Sequence, residues 1–228
     1  MRGAFGQIMS FGYGARGAFR NLTTAVLLTT SSVQAQTVTI AALGDSLTAG
    51  YGLQQDDGFV PQLQAWLDGQ GVDARMINAG VSGDTTAGGR SRVDWTLTPD
   101  VDAMIVALGG NDYLRGIDPA VSFENLDTIL AAGQAAGVGM LLVGLDVGAN
   151  YGAEYEAAFE QNYVTLAAKY DVPLYPDFLA GIRAVVDTPA ALAEFVQSDG
   201  LHPNPTGVGL IVADIGPSVM ELIAASVD

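Results

Sequence analysis

Short apolar runs alternate with amphipathic segments from residue 38 to residue 225, and this alternation restricts the possible folds more than any other feature. The apolar runs predict strands at 38–43, 75–78, 103–108, 139–145 and 172–175. Helical spacing of apolar residues occurs over 58–67, 85–97, 123–136, 154–170, 190–197 and 206–225. Continuous apolar strands are typical of parallel sheets buried on both faces. We therefore predict one doubly wound α/β domain with a five-stranded parallel sheet between two helical layers.

The first 35 residues differ in composition from the rest of the chain. They contain three arginines and no acidic residue, and a modest apolar stretch at 22–33 leads into Val33-Gln34-Ala35. This pattern is typical of a secretory signal peptide, although a disordered or wrongly assigned leader is an alternative. We expect cleavage after Ala35 and a mature domain over 36–228, periplasmic or secreted. The apolar stretch is too short for a membrane-spanning helix, so stable membrane insertion is not expected.

The charge and the cysteine content exclude several function classes. Nine basic residues stand against 25 acidic ones, which gives a formal net charge of −16 at pH 7. A surface of that charge repels nucleic acids and anionic membranes. Cysteine is absent, so the chain has no disulfide, no thiolate metal site and no cysteine nucleophile. These features do not predict the oligomeric state.

One histidine occurs in the chain, His202, and Asp199 lies three residues before it. Ser46 follows the first predicted strand, and open α/β sheets bind ligands outside the carboxyl ends of their strands. A serine hydroxyl becomes a good nucleophile when a histidine takes its proton and a carboxylate orients that histidine. Ser46, Asp199 and His202 are therefore a candidate catalytic triad.

Other carboxylates offer alternatives to this triad. Asp84 is a second candidate for the acid, but the three-residue spacing favours Asp199. Asp45 is expected to accept hydrogen bonds from local backbone N–H groups, and Asp112 is also expected to be structural. Asp199 and His202 could instead ligate a metal ion. Because no second histidine and no cysteine could complete that site, we expect neither metal nor cofactor.

Two further predicted strand ends carry unusual residues, Gly83 after the second strand and Asn111 after the third. Together with Ser46 and His202, they resemble in order the four sequence blocks of the GDSL or SGNH hydrolases, a family named for a Ser, a Gly, an Asn and a His. The resemblance spans nearly all of residues 37–228. Within the family, the chain most resembles enzymes of the thioesterase I, lysophospholipase and arylesterase types. The strings that carry this resemblance are Leu43-Gly44-Asp45-Ser46-Leu47-Thr48-Ala49-Gly50-Tyr51-Gly52, Leu108-Gly109-Gly110-Asn111-Asp112, Leu114-Arg115-Gly116, Ala149-Asn150-Tyr151-Gly152 and Asp199-Gly200-Leu201-His202-Pro203-Asn204.

The resemblance implies a serine esterase or thioesterase that cleaves small acyl esters or thioesters through an acyl-enzyme. The backbone N–H groups of Ser46 and Gly83 and the side-chain amide of Asn111 are expected to form the oxyanion hole. Gly83 could instead be only a turn residue, and Asn111 could be only a helix cap.

The resemblance also suggests residues that contact the acyl chain. A loop after Asn111 is expected to contribute to the acyl pocket, with ordinary loop packing as the alternative. Gly148 stands where this branch of the family usually has proline, which predicts a more flexible loop at that position. The candidate contacts are Tyr113, Leu114, Ile117, Asn150 and Tyr151.

Two other functions fit the same fold. A carbohydrate O-acetylesterase could use the same triad on a smaller acyl group. A non-catalytic flavodoxin-like binding module would leave the pairing of Asp199 with His202 unexplained. The loop after the first strand also lacks both the Gly-x-Gly-x-x-Gly fingerprint and the Gly-Lys-Ser/Thr of a P-loop.

Overall fold

Five parallel strands form one sheet in the spatial order β2-β1-β3-β4-β5. This confirms the predicted all-parallel α/β architecture. The central strands are buried along their whole length, in agreement with their continuous apolar sequences. The strands are β1 (Val38–Gly44), β2 (Ala74–Gly80), β3 (Ala103–Ala107), β4 (Gly139–Val143) and β5 (Leu174–Tyr175).

The structure, a computed structural model, describes residues 37–226 and the single upstream residue Gly12. The predicted leader and its cleavage site after Ala35 therefore lie outside the described residues. β1 begins at Val38, three residues beyond that site.

The five long predicted helices are present, with ends that shift by up to four residues. Within 37–226 the helices are α1 (Ser46–Ala49), α2 (Phe59–Gly69), α3 (Thr86–Thr96), α4 (Gly110–Leu114), α5 (Pro119–Ala136), α6 (Ala153–Tyr170), α7 (Ala180–Arg183), α8 (Pro189–Leu192) and α9 (Pro205–Ser226). The short helices α1, α4 and α7 were not predicted. The helix predicted over 190–197 was too long, because it ends at Leu192.

The sheet separates two apolar cores, as a doubly wound fold requires. On one face, α2, α7 and α9 pack against side chains such as Ile40 and Ile105. On the other face, α3, α5 and α6 pack against Leu43, Met104 and Val106. By length and composition α9 could also cross a membrane, but nine of its residues are buried, and it packs in the first core.

Candidate active site

Ser46, His202 and Asp199 lie in one hydrogen-bonded row. The Nε2 atom of His202 is 2.9 Å from Ser46 Oγ, and its Nδ1 atom is 2.7 Å from Asp199 Oδ2. The two bonds use opposite nitrogens of the imidazole. When Nδ1 carries the proton that bonds Asp199, Nε2 is free to accept the serine proton.

Ser46 is the first residue of α1, and only Asp45 separates it from the end of β1. Asp45 caps this helix, since its Oδ1 accepts a hydrogen bond from Leu47 N at 3.0 Å. Gly44 permits the sharp transition from strand to helix. A Cβ at Gly44 would clash with Thr48 and lie 2.9 Å from Ala107 O. The backbone therefore holds Ser46 at the carboxyl edge of the sheet.

Backbone and side-chain donors converge on Asp199. Its Oδ1 accepts hydrogen bonds from Leu201 N at 2.9 Å and His202 N at 3.0 Å. The hydrogen bond from the His202 ring, followed by these two, lowers the pKa of Asp199 to about 2. Asp199 is therefore ionised at neutral pH and can stabilise an imidazolium.

Two residues that sequence reasoning missed join the serine segment to the histidine loop. The ring of Tyr51 lies 4.6 Å from the His202 ring, centroid to centroid. Gln197 donates through Nε2 to Tyr51 O at 2.8 Å and to Pro203 O at 3.0 Å. These contacts restrict the position of His202 from two sides. Tyr51 stood within the family-like string of residues, but nothing in the sequence indicated a role for Gln197.

Asn111 lies on α4 after β3, rather than at an unstructured strand end. Its Nδ2 donates to Asp45 Oδ2 at 3.3 Å, which leaves the second amide hydrogen free for a ligand. The helix is capped by Gly109, so the alternative role of Asn111 as its N-cap is not observed. Burial raises the pKa of Asp45 from 3.8 to about 6, against the opposing hydrogen bonds from Leu47 and Asn111.

Gly83 follows β2 with φ of +84°, a left-handed conformation that favours glycine. A Cβ at this position would meet only Arg115 Nη2, at 3.8 Å. Backbone conformation, rather than crowding by protein atoms, thus explains the glycine. Arg115 Nη2 also donates to Gly83 O at 2.8 Å, which orients this peptide.

Arg92, which sequence reasoning also missed, fixes the loop that contains Gly83. Its guanidinium bonds Asp84 Oδ2 at 2.6 Å, Ala79 O at 2.6 Å and Gly44 O at 2.8 Å. Asp84 is thus occupied by Arg92 and not by His202, so the structure places it away from the role of triad acid.

Asp112 is fully buried, as expected of a structural residue. It accepts hydrogen bonds from Thr86 N at 2.8 Å, Thr86 Oγ1 at 2.5 Å and Ser122 Oγ at 3.0 Å. These bonds join α4 to the starts of α3 and α5. The described residues also contain no group of three or more His, Cys, Asp or Glu side chains that could hold a metal ion.

A cavity of about 240 Å³ opens beside the triad. Tyr113 and Leu114 line it, but they belong to α4 and not to a loop. The other candidate contacts are not among its lining residues. Ile117 O accepts a hydrogen bond from Tyr155, Asn150 is exposed, and Tyr151 packs edge-on against Tyr113. The lining residues are Asp45, Ser46, Leu47, Gly110, Asn111, Tyr113, Leu114, Leu145, Asp146, Val147, Gly148, Leu179, Arg183, Leu201 and His202.

The loop around Gly148 is held on one side by Tyr113. Tyr113 Oη donates to Gly148 O at 2.9 Å, and both residues line the cavity. The expectation of a more flexible loop at Gly148 remains a prediction.

Comparison with known proteins gives concordant matches. The model of the GDSL-like Lipase/Acylhydrolase family matches residues 42–210. The esterase TesA of Pseudomonas aeruginosa is 36% identical over 200 residues, which cover 87% of this chain and 95% of TesA. Thioesterase 1/protease 1/lysophospholipase L1 of Escherichia coli K12 is 36% identical over 180 residues, 78% of this chain and 81% of that protein. The crystal structure of psychrotrophic esterase EstA from Pseudoalteromonas, inhibited by monoethylphosphonate, superposes with a TM-score of 0.74 at 31% identity, covering 82% of this chain and 98% of EstA.

Proposed function

The chain belongs to the GDSL-like lipase/acylhydrolase family, and we propose that it hydrolyses its substrates with Ser46, His202 and Asp199. It is a serine hydrolase of carboxylic esters or thioesters. The observation that supports the assignment of residues is the hydrogen-bonded row from Ser46 Oγ through His202 to Asp199.

In the first step Ser46 Oγ attacks the acyl carbonyl carbon while His202 Nε2 takes the hydroxyl proton. The tetrahedral intermediate collapses, the bond to the leaving oxygen or sulfur breaks, and His202 returns the proton to that atom. Water then attacks the acyl-enzyme by the same route and releases the acid. The carboxylate of Asp199 holds the ring in the required tautomer and stabilises the transient imidazolium.

The oxyanion formed in this step needs donors that are already oriented. We assign the backbone N–H groups of Ser46 and Gly83 and the Asn111 side-chain amide to this role. Asp45 supports the assignment, because it accepts one hydrogen of the Asn111 amide and so fixes the direction of the other. Arg115 and Arg92 act as positioning residues for the Gly83 segment.

The acyl chain is proposed to occupy the cavity beside Tyr113 and Leu114. The exposed surface of this cavity is mainly apolar, and its lining also includes Leu145 and Val147. An apolar wall favours an alkyl or aryl acyl group over the acetyl group of a polysaccharide. An O-acetylesterase activity remains a competing outcome in the assay below.

The test is hydrolysis of acyl esters and acyl-CoA of increasing chain length, together with a lysophospholipid and acetylated xylan, by the wild type and by Ser46→Ala. We expect hydrolysis of acyl esters by the wild type and its loss in the variant. An organophosphonate should label Ser46 alone, as located by mass spectrometry. An active Ser46→Ala protein, or a label on another residue, would refute the assignment. Preference for acetylated xylan over all acyl esters would favour the O-acetylesterase.

We also propose that the chain is exported and that residues 1–35 are removed. The arginine-containing, acid-free leader supports this, as does the start of β1 at Val38, which leaves the sheet complete after cleavage at Ala35. The exported protein should begin at Gln36 by N-terminal sequencing. Retention of the whole chain in the cytoplasm would contradict this proposal.

A further inference from the structure

A second cavity, of about 420 Å³, lies next to the catalytic cavity. Three residues line both, namely Leu179, Arg183 and Leu201, so the two spaces share one wall. The remaining residues of the second cavity come from α7, α8 and the segments around them. They are Ile182, Val186, Asp187, Thr188, Leu192, Val196 and Gly200. None of the functions assigned above uses this space.

We propose that the second cavity binds the leaving group of the substrate, and that this group is a neutral, apolar alcohol. The proposal rests on the proposed function, because it takes Ser46 and His202 as the reacting pair. It adds a site for the half of the ester that the catalytic cavity does not accommodate.

The position of the shared wall supports this assignment. His202 must return its proton to the leaving oxygen, so that oxygen has to lie next to the His202 ring. Leu201 directly precedes His202 and lines both cavities. Tyr113 and Leu114 line only the catalytic cavity. An ester whose acyl chain lies beside Tyr113 would thus direct its alcohol past Leu201 into the second cavity.

The volumes of the two cavities also support separate sites for the acyl group and the alcohol. Cavities that bind drug-sized ligands usually measure about 300–1,000 Å³. The catalytic cavity alone, at about 240 Å³, is below that range, whereas the neighbouring cavity adds about 420 Å³. The space beside the triad therefore suits a short acyl group, and larger substrates need the adjoining space.

The chemistry of the walls indicates what kind of alcohol fits. Two large apolar side chains at this site are exposed, Leu201 by 47% and Leu192 by 36%. Neighbouring exposed apolar residues frequently mark a binding surface. Among the described residues the lining contains one cation, Arg183, which already bonds Asp177 Oδ2 at 2.7 Å and Asp146 O at 2.7 Å. With Asp187 also in the lining, the part of the chain that the structure describes offers no unpaired positive charge here for an anionic alcohol such as one that carries a phosphate.

The test uses two ester series, read by titration of the acid released. The first series holds the acyl group as butanoyl and lengthens the alcohol from methyl to hexyl. Because alkyl alcohols differ little in acidity, changes in kcat/KM report binding of the alkyl chain. Full burial of a methylene is worth about a fourfold factor, so we expect about a twofold gain per carbon in this half-open site. The second series lengthens the acyl group of methyl esters.

Leu192→Asp tests the site without touching the triad, and Leu192→Met is the conservative variant. Met220→Asp on α9 is the matched control, since Met220 is 37% exposed and lines neither cavity. In Leu192→Asp we expect the gain in kcat/KM from methyl butanoate to hexyl butanoate to be about tenfold smaller than in wild type. The kcat/KM for methyl butanoate itself should stay within about twofold of wild type. Leu192→Met and Met220→Asp should keep the gain. A terminal sulfonate on the alcohol should abolish the gain in kcat/KM in the wild type and in all three variants.

Two other results would overturn the proposal. If Leu192→Asp alters the acyl series and not the alcohol series, the second cavity holds the acyl chain and the proposal is wrong. If Leu192→Asp changes neither series, the second cavity does not bind substrate, and the proposal is also wrong. Failure of the proposed catalytic assignment would be recognised separately, because ester hydrolysis would then persist in Ser46→Ala.

Discussion

Replacing Asp45 by asparagine should change how the stability of the protein depends on pH. The pKa of Asp45 is raised from 3.8 to about 6, chiefly by burial, so its ionised form destabilises the folded state. Between these values the native protein binds more protons than the unfolded chain, and stability must fall as pH rises. At about 1.4 kcal/mol per pKa unit, the total loss is about 3 kcal/mol once the pH exceeds 6.

The measurement is urea unfolding of the wild type and of Asp45→Asn between pH 4 and pH 7. Integrated over this interval, the titration of Asp45 removes about 2.5 kcal/mol from the wild type alone. The free energy of unfolding of Asp45→Asn relative to wild type should therefore rise by about 2.5 kcal/mol from pH 4 to pH 7. A lost contact with Asn111 would add only a constant offset to this difference. Asp100→Asn is the control, because the pKa of the exposed Asp100 carboxylate is lowered, so removing it cannot produce a gain in stability relative to wild type as the pH rises. Parallel stability curves for wild type and Asp45→Asn would refute the reasoning.

Four further outcomes are expected. Asn111→Ala should lower kcat about 10²–10³-fold with little change in KM in steady-state assays, since its amide is proposed to bind charge that exists only in the transition state; a normal kcat would remove it from the site. Asp199→Asn should lower kcat by up to about 10⁴-fold, because an amide can favour the wrong imidazole tautomer, and unchanged kinetics would identify another acid. Ser46→Ala and His202→Ala should each abolish most activity, and the double variant should be little worse, whereas multiplicative losses would argue against a triad. Gly83→Ala should lower the thermal midpoint, because alanine is strained at φ of +84°; an unchanged midpoint would contradict that reason.

The strands could be predicted because they are short, continuous apolar runs, and the long helices because their apolar side chains repeat with the helical period. The run at 103–107 is buried at every residue, and its sequence Ala-Met-Ile-Val-Ala shows this directly. The helices α1, α4 and α7 have four or five residues, which is about one turn, so no apolar period can develop in them. The fifth strand was predicted from residue 172, but only Leu174 and Tyr175 pair with β4.

Of the candidate site, the sequence could predict the residues that we propose to react but not those that hold them in place. Ser46 and His202 were identifiable because catalysis restricts the residue type and the chain offers one histidine. Gln197 was not, since its bond to Tyr51 O joins positions 146 residues apart and any amide or hydroxyl could have served. Arg92 is similar, because its three acceptors lie on three separate segments.

The strand order explains why the candidate site residues meet. β1 lies between β2 and β3, so the residues that follow these three strands, Ser46, Gly83 and Asn111, emerge side by side at one edge of the sheet. The chain crosses from one side of β1 to the other between β2 and β3, and doubly wound folds bind ligands at such a switch point. His202 comes from the opposite end of the sheet, after β5. The segment that returns it to Ser46, residues 176–204, also builds α7, α8 and the second cavity. The segment that delivers His202 to Ser46 therefore also builds the cavity that we propose for the leaving group.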